Sequence, residues 1–393
     1  MSGKDRWLLP EGIEEVLPAD AWRQERMRRR VLDLFRSWGY ELVRPPMIEY
    51  LDSLLTGLGQ DLDLQTFKIT DQLSGRMMGI RPDMTPQAAR IDAHYLKREG
   101  PARLCYLAPV LRTRPDEFAG SREPLQLGAE LFGHSGPESD VEILSLMVTT
   151  LDLLGLKTLH IDLGHVGVFR GLAAEAGLDA AQEAEVFSAL QRKARSDIET
   201  LLQAWQVGAA QKARLLALVE LNGDDAVLPQ AEALFAEASE PVRKALADLR
   251  AVFELARRQR PGLSLNFDLA ELSGYGYHTG VVFSAFVPGH GRAVAKGGRY
   301  DGIGRAFGRD RAATGFSSDL RQLLGLVPAA AEPAQGICAH YEDDPGLLAE
   351  IERLRESGER VVVRLPGVSV SAADVGCDRE LVRRDGAWMV NKV

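Results

Sequence analysis

The sequence predicts an α+β fold: an antiparallel sheet flanked by helices, with a helical insertion and a small C-terminal α/β domain. Three observations lead there. Strand-like segments between residues 66 and 133 are separated by short, turn-rich stretches, and short connections favour antiparallel pairing because parallel strands need long crossovers. From about 166 to 260 the pattern changes to Ala-, Leu- and Glu-rich helical periods with almost no β-branched runs. A stretch of linker composition, VPAAAEPAQ at 327–335, then precedes a tail of about sixty residues.

In chain order, 19–38 reads as an amphipathic helix, with Trp22, Met27, Val31, Leu34, Phe35 and Trp38 near one face, arginines on the other, and Gly39 as its stop. The triplet Arg28, Arg29 and Arg30 fits a solvated helix face better than a nucleic-acid patch. Residues 40–44 have strand composition, and Pro45 and Pro46 end the strand by removing ladder donors. Further strands are predicted at 66–70, 77–81, 103–111 and 125–133, with one helix after Thr85. Beyond the insertion, strands are predicted at 264–268, 280–287 and 292–295, followed by a Gly-rich turn and a final helix from Ser318, which closes a main domain of 1–326. After the linker, 336–393 carries strands at 336–340, 360–365, 373–378 and 387–391 and a helix near 345–357. Such a tail is marginal in size for an independent domain.

With 393 residues the chain has length enough for two or three domains, and 45% hydrophobic with 26% charged residues excludes a disordered, collagenous or fibrous class. No apolar run approaches the roughly 18 residues of a membrane span, and the opening MSGKDRWLLPEGIEEVLP has no signal-peptide core. A cytoplasmic location without a membrane partner is expected. Cys105, Cys338 and Cys377 lie far apart with no CxxC pair, so they read as buried thiols rather than a zinc knuckle or disulfide framework. The histidines contain no HExxH pairing, and neither a structural metal nor a cofactor is expected. Forty-seven Lys plus Arg against 56 Asp plus Glu give a net charge of −9, with no global attraction for a phosphate backbone.

No P-loop, no GxGxxG after a strand and no GxSxG elbow is present. Four other segments carry chemistry. IRPDMTPQAAR sets Asp83 and Thr85 between a strand and a helix, where a carboxylate and a hydroxyl can face a ligand ammonium. LAPVLRTRPDE ends a strand with Arg112, a fork for carboxylate or phosphate. In LQLGAELFGH the strand period of two puts Gln126, Gly128 and Glu130 on one face, the glycine leaving space above the sheet. SGYGYHTGVVFSAF and AKGGRYDG gather Tyr275, Tyr277, His278 and Tyr300 in glycine-rich settings. Each also has a plainer use. Asp83 suits a helix cap, Gln126 and Glu130 a solvated sheet face, and the tyrosines half-buried packing. Together they describe a site for a small zwitterion with a polar ring, such as an amino acid.

At these residues, in order over about 5–325, the chain resembles the catalytic domain of histidyl-tRNA synthetase, a class II aminoacyl-tRNA synthetase fold with an antiparallel six-stranded core. GYELVRPP resembles the first class motif, used for dimerisation. IRPDMT is similar to the family's RPE(G)T piece, and the run from Leu111 to Glu130 to the second motif. GYGYHTGVVF resembles the histidine-specific RGLDYYxxTVFE loop, and GGRYDG followed by TGFSSDLRQLL the glycine stretch and third motif. The resemblance implies a histidine-binding set. Asp83 stands where the family has a Glu contacting the amino group, with Thr85 beside it, and Gln126 and Glu130 match residues that hold the bound histidine. Tyr277 matches the first member of a tyrosine pair, His278 replaces the second, and Tyr300 matches the tyrosine of the glycine stretch. Arg112 matches the arginine that grips the α-phosphate.

The resemblance breaks at the activation chemistry. Arg114 occupies the place of the second motif's Glu, Ser273 that of an arginine in the histidine loop, and Arg321 and Gln322 that of the third motif's Glu-Arg pair. Losing one preorganised charge-stabilising group typically costs about 10²- to 10³-fold in rate, so two lost arginines argue against adenylation. The tail is shorter than the family's anticodon-binding domain, which argues against nucleic-acid recognition. A chain with the amino-acid pocket but not the activation residues resembles the regulatory subunits of ATP phosphoribosyltransferase. That resemblance implies a non-catalytic protein that activates a short-form catalytic subunit at the first step of histidine biosynthesis, takes L-histidine as feedback effector, and forms a homodimer within a hetero-octamer. The alternative is a histidine-activating or truncated synthetase.

Overall fold

The structure is a computed structural model that describes residues 7–56, 60–115, 120–272, 274–328 and 335–393. These fall into two compact units that part between Val327 and Pro328. Strands of the first unit are β1 (Glu41–Leu42), β2 (Ile48–Tyr50), β3 (Phe67–Thr70), β4 (Met77–Ile80), β5 (Ala102–Pro109), β6 (Leu125–Phe132), β7 (His160–His165), β8 (Asn222–Gly223), β9 (Ser264–Asp268), β10 (Val281–Phe286), β11 (Ala293–Arg299) and β12 (Ala313–Asp319). Nine of them form one sheet in the order β1-β5-β6-β12-β11-β10-β7-β9-β8, and β2-β4-β3 form a separate small sheet.

From β5 to β7 the six central strands pair antiparallel throughout. The sheet as a whole is mixed rather than antiparallel, because β1 pairs parallel to β5 and β7 parallel to β9. In both cases the chain between the partners is long enough to cross over, through the small sheet in one and the helical insertion in the other.

Helix α1 (Pro18–Ser37) buries Val31 and Phe35, while the short α2 (Leu51–Leu54) and α3 (Gln60–Gln65) flank the small sheet. Helix α4 (Thr85–Arg90) leads into a π-helical turn, Ile91–Leu96, and α5 (Pro137–Leu153) follows β6. The insertion consists of α6 (Val166–Glu175), α7 (Ala180–Gln191), α8 (Arg195–Ala204), α9 (Ala209–Ala217), α10 (Val227–Leu234) and α11 (Glu240–Gln259), with the two-residue β8 inside it. Its strongly apolar faces, such as Val242, Leu246, Leu249 and Phe253 of α11, join α5 and one face of the large sheet in a single core. Strand parity divides the sheet. Cys105, Leu107, Leu127, Ala129 and Leu131 enter that core, and the alternate residues Tyr106, Gln126, Gly128 and Glu130 face the other way.

Two predicted elements are corrected. The final helix does not begin at Ser318: Ser318 and Asp319 end the central strand β12, and α12 (Leu320–Gly325) starts after it, capped by the Asp319 carboxylate on the Arg321 N–H. The composition TGFSSD is a poor strand former, and the ladders to β6 and β11 on both sides override it. In the second unit, β13 (Ile337–His340), α13 (Pro345–Glu356), β14 (Val361–Arg364), β15 (Arg379–Arg384) and β16 (Ala387–Lys392) form a sheet ordered β14-β13-β15-β16. The strand predicted at 373–378 is instead a 3₁₀ turn that ends at Gly376, φ 67°, and the strand itself is the charged RELVRR. Its one fully buried residue, Leu381, leaves no hydrophobic alternation to read. Most of the linker, 329–334, lies outside the described residues. No described helix is long and apolar enough to cross a membrane.

Candidate functional site

Arg81 gathers the carbonyls of Pro45 and Pro109. Its Nη1 donates to the Pro45 carbonyl at 2.6 Å, and its Nε and Nη2 to that of Pro109 at 3.1 and 2.9 Å. This staple fixes the Arg81-Pro82-Asp83 loop above β6. The Asp83 Oδ1 accepts the Thr85 N–H at 2.9 Å and also the Gln126 Nε2 at 2.7 Å, but Asp83 is not the helix cap, since the N-cap of α4 is Met84 and no side chain caps it. Gln126 in turn accepts the Met84 N–H through Oε1 at 2.9 Å. The amide thus bridges sheet and loop, so its orientation is fixed on both sides.

Two residues further along β6, Glu130 is 1% exposed. A solvated face is therefore not its setting. Tyr106 donates to its Oε1 at 2.7 Å, and Tyr300 donates to its Oε2. Tyr106 also hydrogen-bonds the Thr85 hydroxyl at 2.9 Å, which ties α4 to the carboxylate. Tyr277 stacks on Tyr300 with centroids 4.9 Å apart, and its hydroxyl is buried with no hydrogen-bond partner among the described residues. Burial pushes the Glu130 carboxyl up to about 8, against the pull of the two tyrosine hydrogen bonds. An acid in this state can receive a ligand cation by releasing its proton.

The space over Gly128 is not free for a ligand, contrary to the expectation from sequence. A Cβ there would lie 2.4 Å from the Tyr106 hydroxyl, so the missing side chain makes room for that phenol. Tyr106, directly opposite Gly128 in the ladder, is the site residue that sequence reasoning missed. Its strand parity with Leu104 and Ala108 was the available signal. Gly315 serves Glu130 the same way, since its Cβ would collide with the carboxylate.

Asp83, Thr85, Gln126, Glu130, Tyr277 and Tyr300 therefore share one region with Tyr106. Arg112 borders it, its Nε donating to the Pro82 carbonyl at 3.2 Å. His278 makes an edge-to-face contact with Tyr277, centroids 5.3 Å apart. Tyr275 is not brought in. It stacks on Phe187 of α7 at 4.6 Å, beneath the Arg170 guanidinium, and donates to Glu183.

The chain matches the histidyl-tRNA synthetase family over residues 12–323 and the ATP phosphoribosyltransferase subunit HisZ C-terminal domain over 334–391. It is 57% identical over 385 residues, 98% of this chain and 97% of the relative, to the ATP phosphoribosyltransferase regulatory subunit of Thioalkalivibrio sulfidiphilus. To that of Alkalilimnicola ehrlichii it is 54% identical over 393 residues, 100% and 98% of the two chains. The chain belongs to the ATP phosphoribosyltransferase regulatory subunit family. A crystal structure of an ATP phosphoribosyltransferase regulatory subunit/histidyl-tRNA synthetase from Bacillus halodurans superimposes with a TM-score of 0.83 at 28% identity, over 95% of this chain and 97% of that one.

In this regulatory subunit the positions that depart from the synthetase pattern have local uses of their own. Arg321 faces the Glu123 carboxylate at 3.2 Å. Gln322 lies 3.4 Å from the His290 ring, and Arg114 is exposed. Ser273 lies outside the described residues. The fold is the class II synthetase fold of its relatives, and the role carried by the family is regulatory.

Proposed function

We propose that the chain is a non-catalytic subunit that activates a short-form ATP phosphoribosyltransferase catalytic subunit and makes it sensitive to L-histidine, which binds at the Glu130 network. The observation that carries this reading is the contrast between two sets of residues. The amino-acid pocket keeps a connected array of Asp83, Thr85, Gln126, Glu130 and Tyr300, with the buried Tyr277 hydroxyl lacking a partner among the described residues. Where activation chemistry needs a cation at Gln322, a neutral amide stands instead. The Glu130 carboxylate, with its two tyrosines, suits a protonated nitrogen of the ligand. Asp83, with Arg112 and His278 at the border, closes the polar rim.

Histidine inhibits only if the less active state of the complex binds it more tightly, and a coupling of about 1–3 kcal/mol is typical of such sites. The complex is a hetero-octamer built on a homodimer of this chain, working in the cytoplasm. Mixing the purified chain with a short catalytic subunit tests the reading. The phosphoribosyltransferase rate rises on mixing and falls again with added histidine; no stimulation and no histidine sensitivity would reject it. The competing reading, a histidine-activating enzyme, requires histidine-dependent exchange of pyrophosphate into ATP by this chain alone, and none is expected.

A further inference from the structure

The turn at 274–278 meets two different parts of the fold. Its backbone is tied to itself: the Gly274 carbonyl accepts the Tyr277 N–H at 2.8 Å and the His278 N–H at 2.9 Å. Gly274 sits at φ 71°, and a Cβ there would lie 2.7 Å from the His278 ring, so glycine is what lets the turn close this tightly. The closed turn holds Tyr275 and Tyr277 in a fixed relation. On one side Tyr277 joins the Glu130 network by stacking on Tyr300. On the other, Tyr275 enters the helical insertion.

The insertion grips ring, hydroxyl and backbone of Tyr275 alike. Phe187 of α7 stacks on the ring with centroids 4.6 Å apart, Phe169 of α6 meets it edge-on at 5.3 Å, and the Arg170 guanidinium lies 4.6 Å over the ring. The Arg170 Nη2 also donates to the Tyr275 carbonyl at 2.6 Å, which pins the main chain of the turn itself. The Tyr275 hydroxyl donates to the Glu183 carboxylate. Glu183 and Phe187 lie four residues apart on α7, so one face of that helix supplies both the acceptor and the stacking ring. The synthetase loop pattern RGLDYY has leucine at this position, which has no hydroxyl to give. Tyr277, by contrast, is held in the pocket by ring contacts to Tyr300 and His278, with its hydroxyl unpartnered among the described residues. Its place over the Glu130 site therefore depends on what anchors Tyr275.

We infer that Tyr275 is a positioning residue for the ligand of the Glu130 site, through which Arg170 and Glu183 of the insertion hold Tyr277 in place. The inference rests on the reading that histidine binds there. Calorimetric titration of the full chain with L-histidine, beside inhibition assays on its complex with the short catalytic subunit, tests it. Tyr275→Phe keeps the ring and its stacking but withdraws the hydroxyl, and Glu183→Ala withdraws the acceptor. Each is expected to weaken histidine binding about three- to tenfold, the usual effect of residues that act on a site through another. The double variant is expected to lose no more than either single one, because both remove the same bond. Glu183→Gln still offers an oxygen to the Tyr275 hydroxyl and is expected to restore most of the affinity. In the complex, the half-inhibiting histidine concentration rises by the same factor as the dissociation constant, while saturating histidine still inhibits fully. Wild-type affinity in both Tyr275→Phe and Glu183→Ala, additive losses in the double variant, or an equal loss in Glu183→Gln would each overturn the inference and leave the histidine reading standing. No saturable histidine binding by the wild type would remove that reading and this inference with it.

Discussion

At the scale of single residues, Glu130 holds the site together because a carboxylate with two oxygens is the one group that can take both phenols at once. Tyr106 comes from β5 and Tyr300 from the residue just after β11, and each would be a buried donor without it. Leaving such a donor unsatisfied costs about 1–3 kcal/mol. Glu130→Ala is accordingly expected to lower the melting temperature modestly and to weaken histidine binding about tenfold or more, the value of a hydrogen bond to a charged group, while leaving partner activation largely intact. Glu130→Gln separates charge from shape, since the amide still accepts one phenol and fills the same volume. It is expected to fold normally and yet lose most of the histidine affinity. Titration calorimetry of both variants, beside an activation assay with the catalytic subunit, checks the pair; unchanged affinity in Glu130→Ala would mean that the ligand is elsewhere.

At the scale of elements, the site depends on strands without side chains at two points, Gly128 of β6 and Gly315 of β12. Gly128→Ala puts a methyl 2.4 Å from the Tyr106 hydroxyl, and the phenol, itself fully buried, has little room to retreat. Overpacking of this kind typically costs about 1–3 kcal/mol. The expected outcome is a lower melting temperature together with weaker histidine binding, because Tyr106 is pushed off both Thr85 and Glu130; a variant with wild-type melting and affinity would show that the phenol moves freely. The same strands show what could be read in advance. β5 and β6 announce themselves by apolar residues and bounding prolines, and α1 by its 3.6-residue period, so most of the sheet was legible, and six of the eight residues expected at the site lie together in the structure. β12 was not legible, because its Gly315 makes room for the Glu130 carboxylate rather than serving strand propensity. Tyr106 was missed for a related reason: it looks like core, and only its register opposite Gly128 reveals that it reaches the site. The parallel pairings of β1 and β9 lay beyond reach because they are decided by crossovers whose paths no local pattern records.

At the scale of the whole molecule, buried titratable groups set how stability varies with pH. The Glu130 carboxyl is pushed up to about 8 in the folded chain and returns to about 4.3 on unfolding. Between those values the native state keeps a proton that the unfolded state has lost, so this group's contribution falls as pH rises. His165 has the opposite sign. Its ring is pushed down to about 4 against about 6.5 when unfolded, so stability rises with pH across that interval. The Asp140 carboxyl, pushed up to about 6 by burial despite the Arg299 beside it, shares the sign of Glu130 but has finished titrating by then. Below pH 6.5 these effects oppose one another, and from 6.5 to 8 Glu130 is the one of the three still titrating. Melting temperature is therefore expected to decline across that window, by at most about 1.4 kcal/mol of stability per pH unit, and the decline to vanish in Glu130→Gln. Histidine that needs the ionised carboxylate must displace the proton, so its affinity is expected to rise with pH over the same range, with proton release visible as a buffer-dependent heat of binding. Identical melting curves for the wild type and Glu130→Gln between pH 6.5 and 8 would show that the carboxyl is already ionised in the free chain, and the proton release on binding would disappear with it.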